Sequence, residues 1–582
     1  MKNIVFGCAM VSLVILVVAF NVPGSNIIPP DKIFINGKIL TVDRKNSVVE
    51  AVAIKDGKII AVGTTKDITA LKTASTELVD LQGKTLVPGF IDGHSHFMGL
   101  SRSKTANIAA PPVGNVNRIA DIIKELQAYK EQNKIDAGEW ISAFGYDNDL
   151  LEERRHPTKE DIDAAFPDNP VTLTHVSGHM TVANSLALKL SGIDANTPNP
   201  DGGIIVRDKS TNQPTGLLQE KAAGLLKRTQ KVKPTAEEQI QALIDQQNLY
   251  ASNGITTAQD GSTSFESLEL LQRAAEEKKL FIDIEALPAY ATLDKVLAKP
   301  DTYKFGVLQN HLKLAGSKVV ADGSPQGRTA FFTKAYLVDV PGCNHEECKG
   351  FSNITQDQFN DAILKLYKND IRPFVHCNGD ATIDMYIQAL EHANDQLHTV
   401  SNKRRPVTIH SQFVRADQLD EYKKLGVIPA LFSNHAFFWG DTHVRNLGAD
   451  RAFFLSPLKS ALKKGIIATN HTDYGVTPLN QLFLLWTSVV RESRSGKVIG
   501  PEERLTPIEG LRAITINGAY EYFEENTKGS IEPGKVADFV ILSDDITTIE
   551  PEKIRGVTVL ETIKEGKTIY KKDAVAFVSG NK

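Results

Sequence analysis

Cysteine is scarce in this chain, with four among 582 residues, and the single close pair among them is too few for a zinc ribbon. A charge excess is also missing: 66 basic against 70 acidic side chains leave a formal net charge of −4. That balance gives no sustained basic face for a phosphate backbone, which argues against nucleic acid and for a small molecule as the partner. The chain has no compositional bias either, at 23% charged and 41% apolar residues; disordered, collagenous and coiled-coil classes are thereby excluded. A large core is available. The length suits several domains, or fewer if an α/β barrel takes roughly 250 residues as one unit; a homo-oligomer stays open.

Residues Ile4 to Phe20 form an uncharged apolar run that ends at Asn21-Val22-Pro23-Gly24-Ser25. This reads as a signal-peptide core or an N-terminal membrane anchor. No Ala-x-Ala precedes the break, so the cleavage site is weak, and the run has no polar face with which a buried N-terminal helix would meet solvent. Cys8 precedes most of the run, which disfavours lipid attachment. The expectation is export, to a periplasm or the outside, with anchoring if the segment is not cleaved. Cys343 and Cys348, spaced in a loop with His345 between them, suit a small disulfide or two plain thiols better than a metal clip.

Along the chain, 31–87 reads as short strands with turn signals at Asn36-Gly37 and Asp56-Gly57, both hairpin dipeptides. The same texture returns at Val536–Leu542 and Val557–Tyr570, so 31–87 and 525–575 are expected to build one small β domain. Between them, apolar runs alternate with helical patterns, which argues for parallel βα units. Two helices carry capping boxes, Thr235 with Glu238 and Thr355 with Gln358. The expected core strands are Leu86–Asp92, Ile255–Asp260, Phe281–Leu287, Leu312–Asp322, Ile371–His376, Val407–His410, Val427–Phe432 and Ile466–Thr469. That set is the number that closes a (β/α)8 TIM barrel, over 88–524. The stretch at about 100–235 is too long for one loop and must be an insertion after strand 1.

The sharpest local signal is Val87-Pro88-Gly89-Phe90-Ile91-Asp92-Gly93-His94-Ser95-His96. Strand alternation sends His94 and His96 to the same side, where both can meet one ion. His376 and His410 close two later strands, and Asp473 follows the last; barrel catalytic groups gather at that rim. Four imidazoles and a carboxylate converging there suit zinc or a similar divalent ion.

These residues, together with Gly145-Tyr146-Asp147, Ser177-Gly178-His179, Ala321-Asp322-Gly323-Ser324, Gly327-Arg328-Thr329-Ala330, His376-Cys377-Asn378-Gly379-Asp380 and the tail at 529–538, resemble the metal-dependent amidohydrolase superfamily, in its amidohydrolase-3, YtcJ-like branch. The resemblance implies a (β/α)8 barrel with a small β-sandwich domain from both chain ends. It implies His94 and His96 on a buried metal, His376 and His410 on a more exposed one, and Asp473 completing the site. It also implies that Lys318 is carboxylated and bridges two metals; the plainer alternative is a buried lysine paired with Asp322. Thr408-Ile409-His410-Ser411-Gln412 and Thr469-Asn470-His471-Thr472-Asp473 depart from the branch pattern, which puts the substrate in doubt more than the metal. His179 either binds substrate or the tetrahedral intermediate, or is structural. Tyr146, Asp147 and Arg328 are candidates to line the pocket, His435 and His443 to touch substrate, and His471 to stand behind the ligands.

The function this implies is hydrolysis of an amide or other non-peptide carbon–nitrogen bond in an N-acyl, N-formyl or cyclic amide. One or two zinc ions activate water, and Asp473 moves its proton to the leaving nitrogen. The rivals are a one-metal deaminase, a lactonase or esterase and, last, a non-catalytic binding protein.

Overall fold

The structure, a computed structural model, describes residues 29–99, 105–227, 234–343, 347–400 and 403–572. The N-terminal apolar run, and with it the export reading, lies outside the described residues, as does His345. Among the described residues no helix is long and apolar enough to cross a membrane.

The centre is two arcs of parallel strands. The first is formed by β1 (Phe90–Ile91), β2 (Ile255–Thr263), β3 (Asp283–Pro288) and β4 (Leu312–Leu314). The second is formed by β5 (Ser317–Val320), β6 (Pro373–Cys377), β7 (Val407–His410), β8 (Ile428–Leu431) and β9 (Thr469–Asn470). This is a TIM-barrel-type α/β arrangement, although among the described residues the ladders do not join into one closed ring. Other contacts hold the seams. Ala315 donates its N–H to Ala286 at 3.1 Å, and Ala289 bridges to Lys318. At the other seam, Thr472 donates both its N–H and its hydroxyl to the Asp92 carboxylate, and the Asp473 N–H reaches the His94 carbonyl at 2.9 Å.

Two of the expected strands are divided. Leu312–Asp322 becomes β4 and β5. Leu86–Asp92 breaks at Gly89: Thr85–Pro88 pairs antiparallel with Phe539–Leu542 near the far end of the chain, and only Phe90–Ile91 joins the barrel. The break needs glycine, since a Cβ at position 89 would lie 2.3 Å from the Thr256 hydroxyl oxygen.

The helices start where the sequence signals them. Thr235 accepts the Glu238 N–H and Glu238 accepts the Thr235 N–H, opening Ala236–Ser252, whose Ile240, Leu243 and Tyr250 are buried. Thr355 and Gln358 repeat the exchange for Gln356–Lys368, which leads into β6. Each reciprocal cap satisfies donors that the first helical turn leaves free.

The inserted segment folds a six-stranded sheet of its own, running from Ala106–Asn107 to Pro214–Glu220 in the chain. Ile141, Leu173 and Val182 of its strands cluster with Ile122 and Leu126 of the helix Ile119–Gln132. The chain ends supply a four-stranded and a six-stranded sheet, and Phe34, Val52, Leu86, Phe539 and Ile563 share a core drawn from both. Asp56-Gly57 and Glu565-Gly566 turn hairpins with positive φ at both residues. Asn36-Gly37 does not. It passes the chain from one sheet to the other, because Lys32–Ile35 pairs with Ala51–Lys55 while Lys38–Leu40 pairs with Val48–Val49 and Thr85–Pro88. Cys343 and Cys348 are joined as a disulfide, and Cys377 is free and buried.

Candidate metal centre

At the C-terminal rim of the strands, His94, His96 and Asp473 each bring a ligand atom to within 4.8 Å of the others. The Asp473 Oδ1 lies 3.3 Å from His96 Nε2 and 3.7 Å from His94 Nε2. His94 is oriented from behind: its Nδ1 is hydrogen-bonded to the Gln259 side-chain carbonyl, while the Gln259 amide donates to the Gly93 carbonyl and the Tyr522 hydroxyl. An acceptor on Nδ1 fixes the proton there and turns the Nε2 lone pair toward the cavity, as a metal-ligating histidine requires.

Lys318 Nζ sits 3.1 Å from that same Nε2. It has no carboxylate partner within ion-pair distance among the described residues, and Asp322, the alternative partner, is engaged elsewhere. Asp322 accepts the N–H groups of Asn378 at 3.0 Å and Gly379 at 2.8 Å and the Thr382 hydroxyl at 3.0 Å. Burial pushes the Lys318 ammonium down to about 7, against the opposing field of Asp473. Burial, then Lys318, likewise holds His94 well below the usual imidazole range. Burial works to raise the Asp473 carboxyl, but the His96 hydrogen bond and the His94 field outweigh it and keep the group ionised.

His376 and His410 line the same cavity of about 460 Å³ as the triad, Lys318 and His179, with their ring centroids 4.6 Å apart. His376 Nδ1 lies 3.2 Å from Asp322 Oδ1, but among the described residues neither it nor the buried His410 Nδ1 has a hydrogen bond. An orphaned imidazole nitrogen beside a histidine–aspartate triad is costly to bury unless something coordinates it. This nitrogen and oxygen donor set fits a divalent ion such as zinc. His410, Ser411 and Asp473 also have positive φ, at 74°, 42° and 48°, a strain of about 1–3 kcal/mol each that sites of chemistry retain.

His179 is tied through Nδ1 to Glu220 at 2.8 Å, and that carboxylate raises its pKa against burial. Arg328 is not brought to this cavity. It donates to Asp149 at 2.6 Å and to the Asp339 carbonyl at 2.8 Å, and lines a separate cavity of about 840 Å³ beside the disulfide. Tyr146 is buried against His156, with a hydroxyl-to-Nδ1 distance of 3.0 Å. His435 and His443 stack on each other behind the site, and His471 is fully buried with its ring 5.3 Å from His94. Gln259 and Glu220 escaped the sequence reading. For Gln259 the signal was present, as an amide inside an otherwise buried strand; for Glu220 none was.

A family model described as "Amidohydrolase family" (Amidohydro_3) matches residues 77–570. The chain is 28% identical over 563 residues to the N-substituted formamide deformylase of Arthrobacter pascens, covering 93% of this chain and 98% of that protein. It is 27% identical over 556 residues to YtcJ of Bacillus subtilis, covering 92% and 98%. Among solved structures, an uncharacterized metal-dependent hydrolase from Pyrococcus horikoshii OT3 has a TM-score of 0.68 at 24% identity over 89% of this chain and 99% of that one, a likeness of fold.

Proposed function

The chain belongs to the amidohydrolase family, as a hydrolase acting on carbon–nitrogen bonds, and on that premise we propose that it cleaves a small N-acyl, N-formyl or cyclic amide with the help of a divalent metal. The observation that carries this is the His94–His96–Asp473 triad, with His94 oriented by Gln259 and Lys318 set against its Nε2. The formamide deformylase similarity favours an N-formyl or N-acyl amine as substrate.

The triad would hold one ion, and His376, His410 and Lys318 would hold a second. When bound, the metal supplies Lewis acidity, which acidifies water and polarises a carbonyl. Asp473 takes the water proton at its carboxylate and returns it to the leaving nitrogen, a role worth roughly 10²–10⁴ in rate. His179, with Nδ1 committed to Glu220, has Nε2 left for a substrate oxygen. In the two-ion form the Lys318 amine adds to carbon dioxide and loses a proton, giving a carbamate whose negative charge offsets the two cations. Lys318→Ala then loses metal and activity together, and added acetate or propionate restores part of both. Full activity in that variant without added acid leaves a one-metal site.

The experiment that tests the function is a screen of N-formyl amines, N-acyl amines, cyclic amides and aminopurines for released amine, acid or ammonia. Amine with formate or another acid supports the reading. Ammonia from aminopurines alone moves it to deamination, and no product from any class overturns it. Export is part of the proposal, supported by the Ile4–Phe20 run and by a disulfide suited to an oxidising compartment. Its test is fractionation of cells expressing the full chain; a cytosolic, reduced protein contradicts it.

A further inference from the structure

Beside the metal cavity lies a second cleft of about 590 Å³, a size common among small-molecule sites. Val476 lines both spaces. One loop therefore connects the chemistry to the cleft: Asp473 stands at its start, and Tyr474 and Val476 are in the cleft wall. The three residue steps from Asp473 to Val476 span at most about 11 Å even when extended, so the two spaces lie within the length of one small molecule.

The remaining wall is largely apolar and includes Phe144, Phe438 and Trp439, the last two with rings 5.5 Å apart. Arg494 enters this apolar wall with its guanidinium 5.1 Å over the Phe438 ring. Its Nε is buried without a hydrogen bond, and among the described residues no carboxylate lies within ion-pair distance of it. Asp147 is the carboxylate whose field reaches it, but Asp147 is already committed. Its oxygens accept the Trp439 indole N–H at 2.6 Å and the Asp149 N–H at 2.9 Å. Arg494 is only partly buried, but its Nε is enclosed against the Phe438 ring without an anion, which is costly, and a ligand carboxylate would supply the missing partner through charge-assisted hydrogen bonds.

We infer that this cleft is the substrate-recognition site, and that the amide cleaved beside it carries an apolar, ring-sized substituent ending in a carboxylate that Arg494 receives. The inference rests on the amide-hydrolase reading for its chemistry, but its binding half is tested without turnover.

Calorimetry on the metal-loaded protein compares 4-phenylbutyrate with 4-phenylbutanol. The acid is expected to bind about tenfold tighter or more, and Arg494→Gln to bring the two close to equality while Arg494→Lys keeps part of the preference. Equal binding of acid and alcohol by the unaltered protein overturns the inference. So does an acid preference that survives Arg494→Gln, since the carboxylate is then on the metal. Val476→Trp, which fills the junction, is a check independent of the folding of Arg494 variants: it should weaken both probes about tenfold at unchanged metal content, and unchanged affinity overturns the placement. In turnover, the N-formyl derivative of 4-(aminomethyl)benzoate should show a lower KM than its methyl ester, and Arg494→Gln should remove that difference with kcat changed by no more than about twofold. Absence of amide turnover alongside Arg494-dependent acid binding sinks the reaction assignment and leaves the recognition site; turnover without acid preference does the reverse.

Discussion

Two clusters of buried charge draw on different strands of the barrel arcs, and they are built to different rules. At the entry end of β3, Asp283 meets Lys528, Lys564 at 2.7 Å and His311 at 2.7 Å. Lys564 also reaches Asp538 at 2.8 Å, and Glu524 receives Lys528 at 2.8 Å and Lys313 at 2.9 Å. Glu285, deeper inside, is pushed well above the usual carboxylate range by burial and by Glu524, which keeps it protonated. Every cation of that network faces a carboxylate. At the rim, Lys318 faces none within ion-pair distance among the described residues, and His410 Nδ1 has no hydrogen bond. A network whose cations are all ion-paired holds a fold together, even with both Glu285 oxygens left without hydrogen bonds; one whose cation lacks a carboxylate is completed by a ligand.

The comparison is broken most forcefully at the paired cluster. Lys528→Met should cost about 3–5 kcal/mol of unfolding free energy in urea, by leaving Asp283 and Glu524 undercompensated. Turnover of the folded fraction should stay within about twofold, and a selective loss of turnover would erase the distinction between the clusters. Asp473→Asn is the converse. It should cost about 10²-fold or more in kcat with metal retained and the thermal midpoint lowered by no more than a few degrees; near-normal turnover removes Asp473 from proton transfer.

Cys343→Ser opens a short loop that belongs to neither network and should cost about 2 kcal/mol, measured against the oxidised parent. The smallest effect concerns pH. The folded-state pKa of Asp283 is depressed, since burial is outweighed by Lys528 and Lys564. Its contribution is therefore present above the unfolded value of about 3.9 and lost as pH falls below it. Urea unfolding across pH 3–6 should show stability falling with acidity, and a shallower fall in Asp283→Asn. An equal slope in the variant places the acid sensitivity elsewhere.

The rim was readable because its residues mark strand ends. His94 and His96 alternate on one strand, and His376, His410 and Asp473 lie at or just past three others, so parallel βα order alone carries them to one side. Of their supports, Gln259 carried a local signal as an amide within a core strand but no sign of its partner, since it reaches His94 across 165 residues; Glu220, which reaches His179 across 41, carried none. Arg328 sat in a suggestive motif, but a motif does not say which wall of a loop its side chain joins, and here Asp149 holds it in another cavity. The same limit applied to the fold. The apolar run Leu86–Asp92 gave no sign that it serves two sheets, because the deciding contact is Gly89 against Thr256, a residue far along the chain. Asn36-Gly37 carried the composition of a hairpin, but its two flanking strands found partners in different sheets.

The central claim is that the open network at the rim holds a metal, and metal content tests it most directly. Elemental mass spectrometry of the natively purified chain, beside the His94→Asn, His96→Asn double variant, should find about one to two equivalents of divalent metal in the first and essentially none in the second. A natively purified chain that carries no metal, takes up none from added zinc and still hydrolyses amides would contradict the account, as would a double variant with undiminished metal.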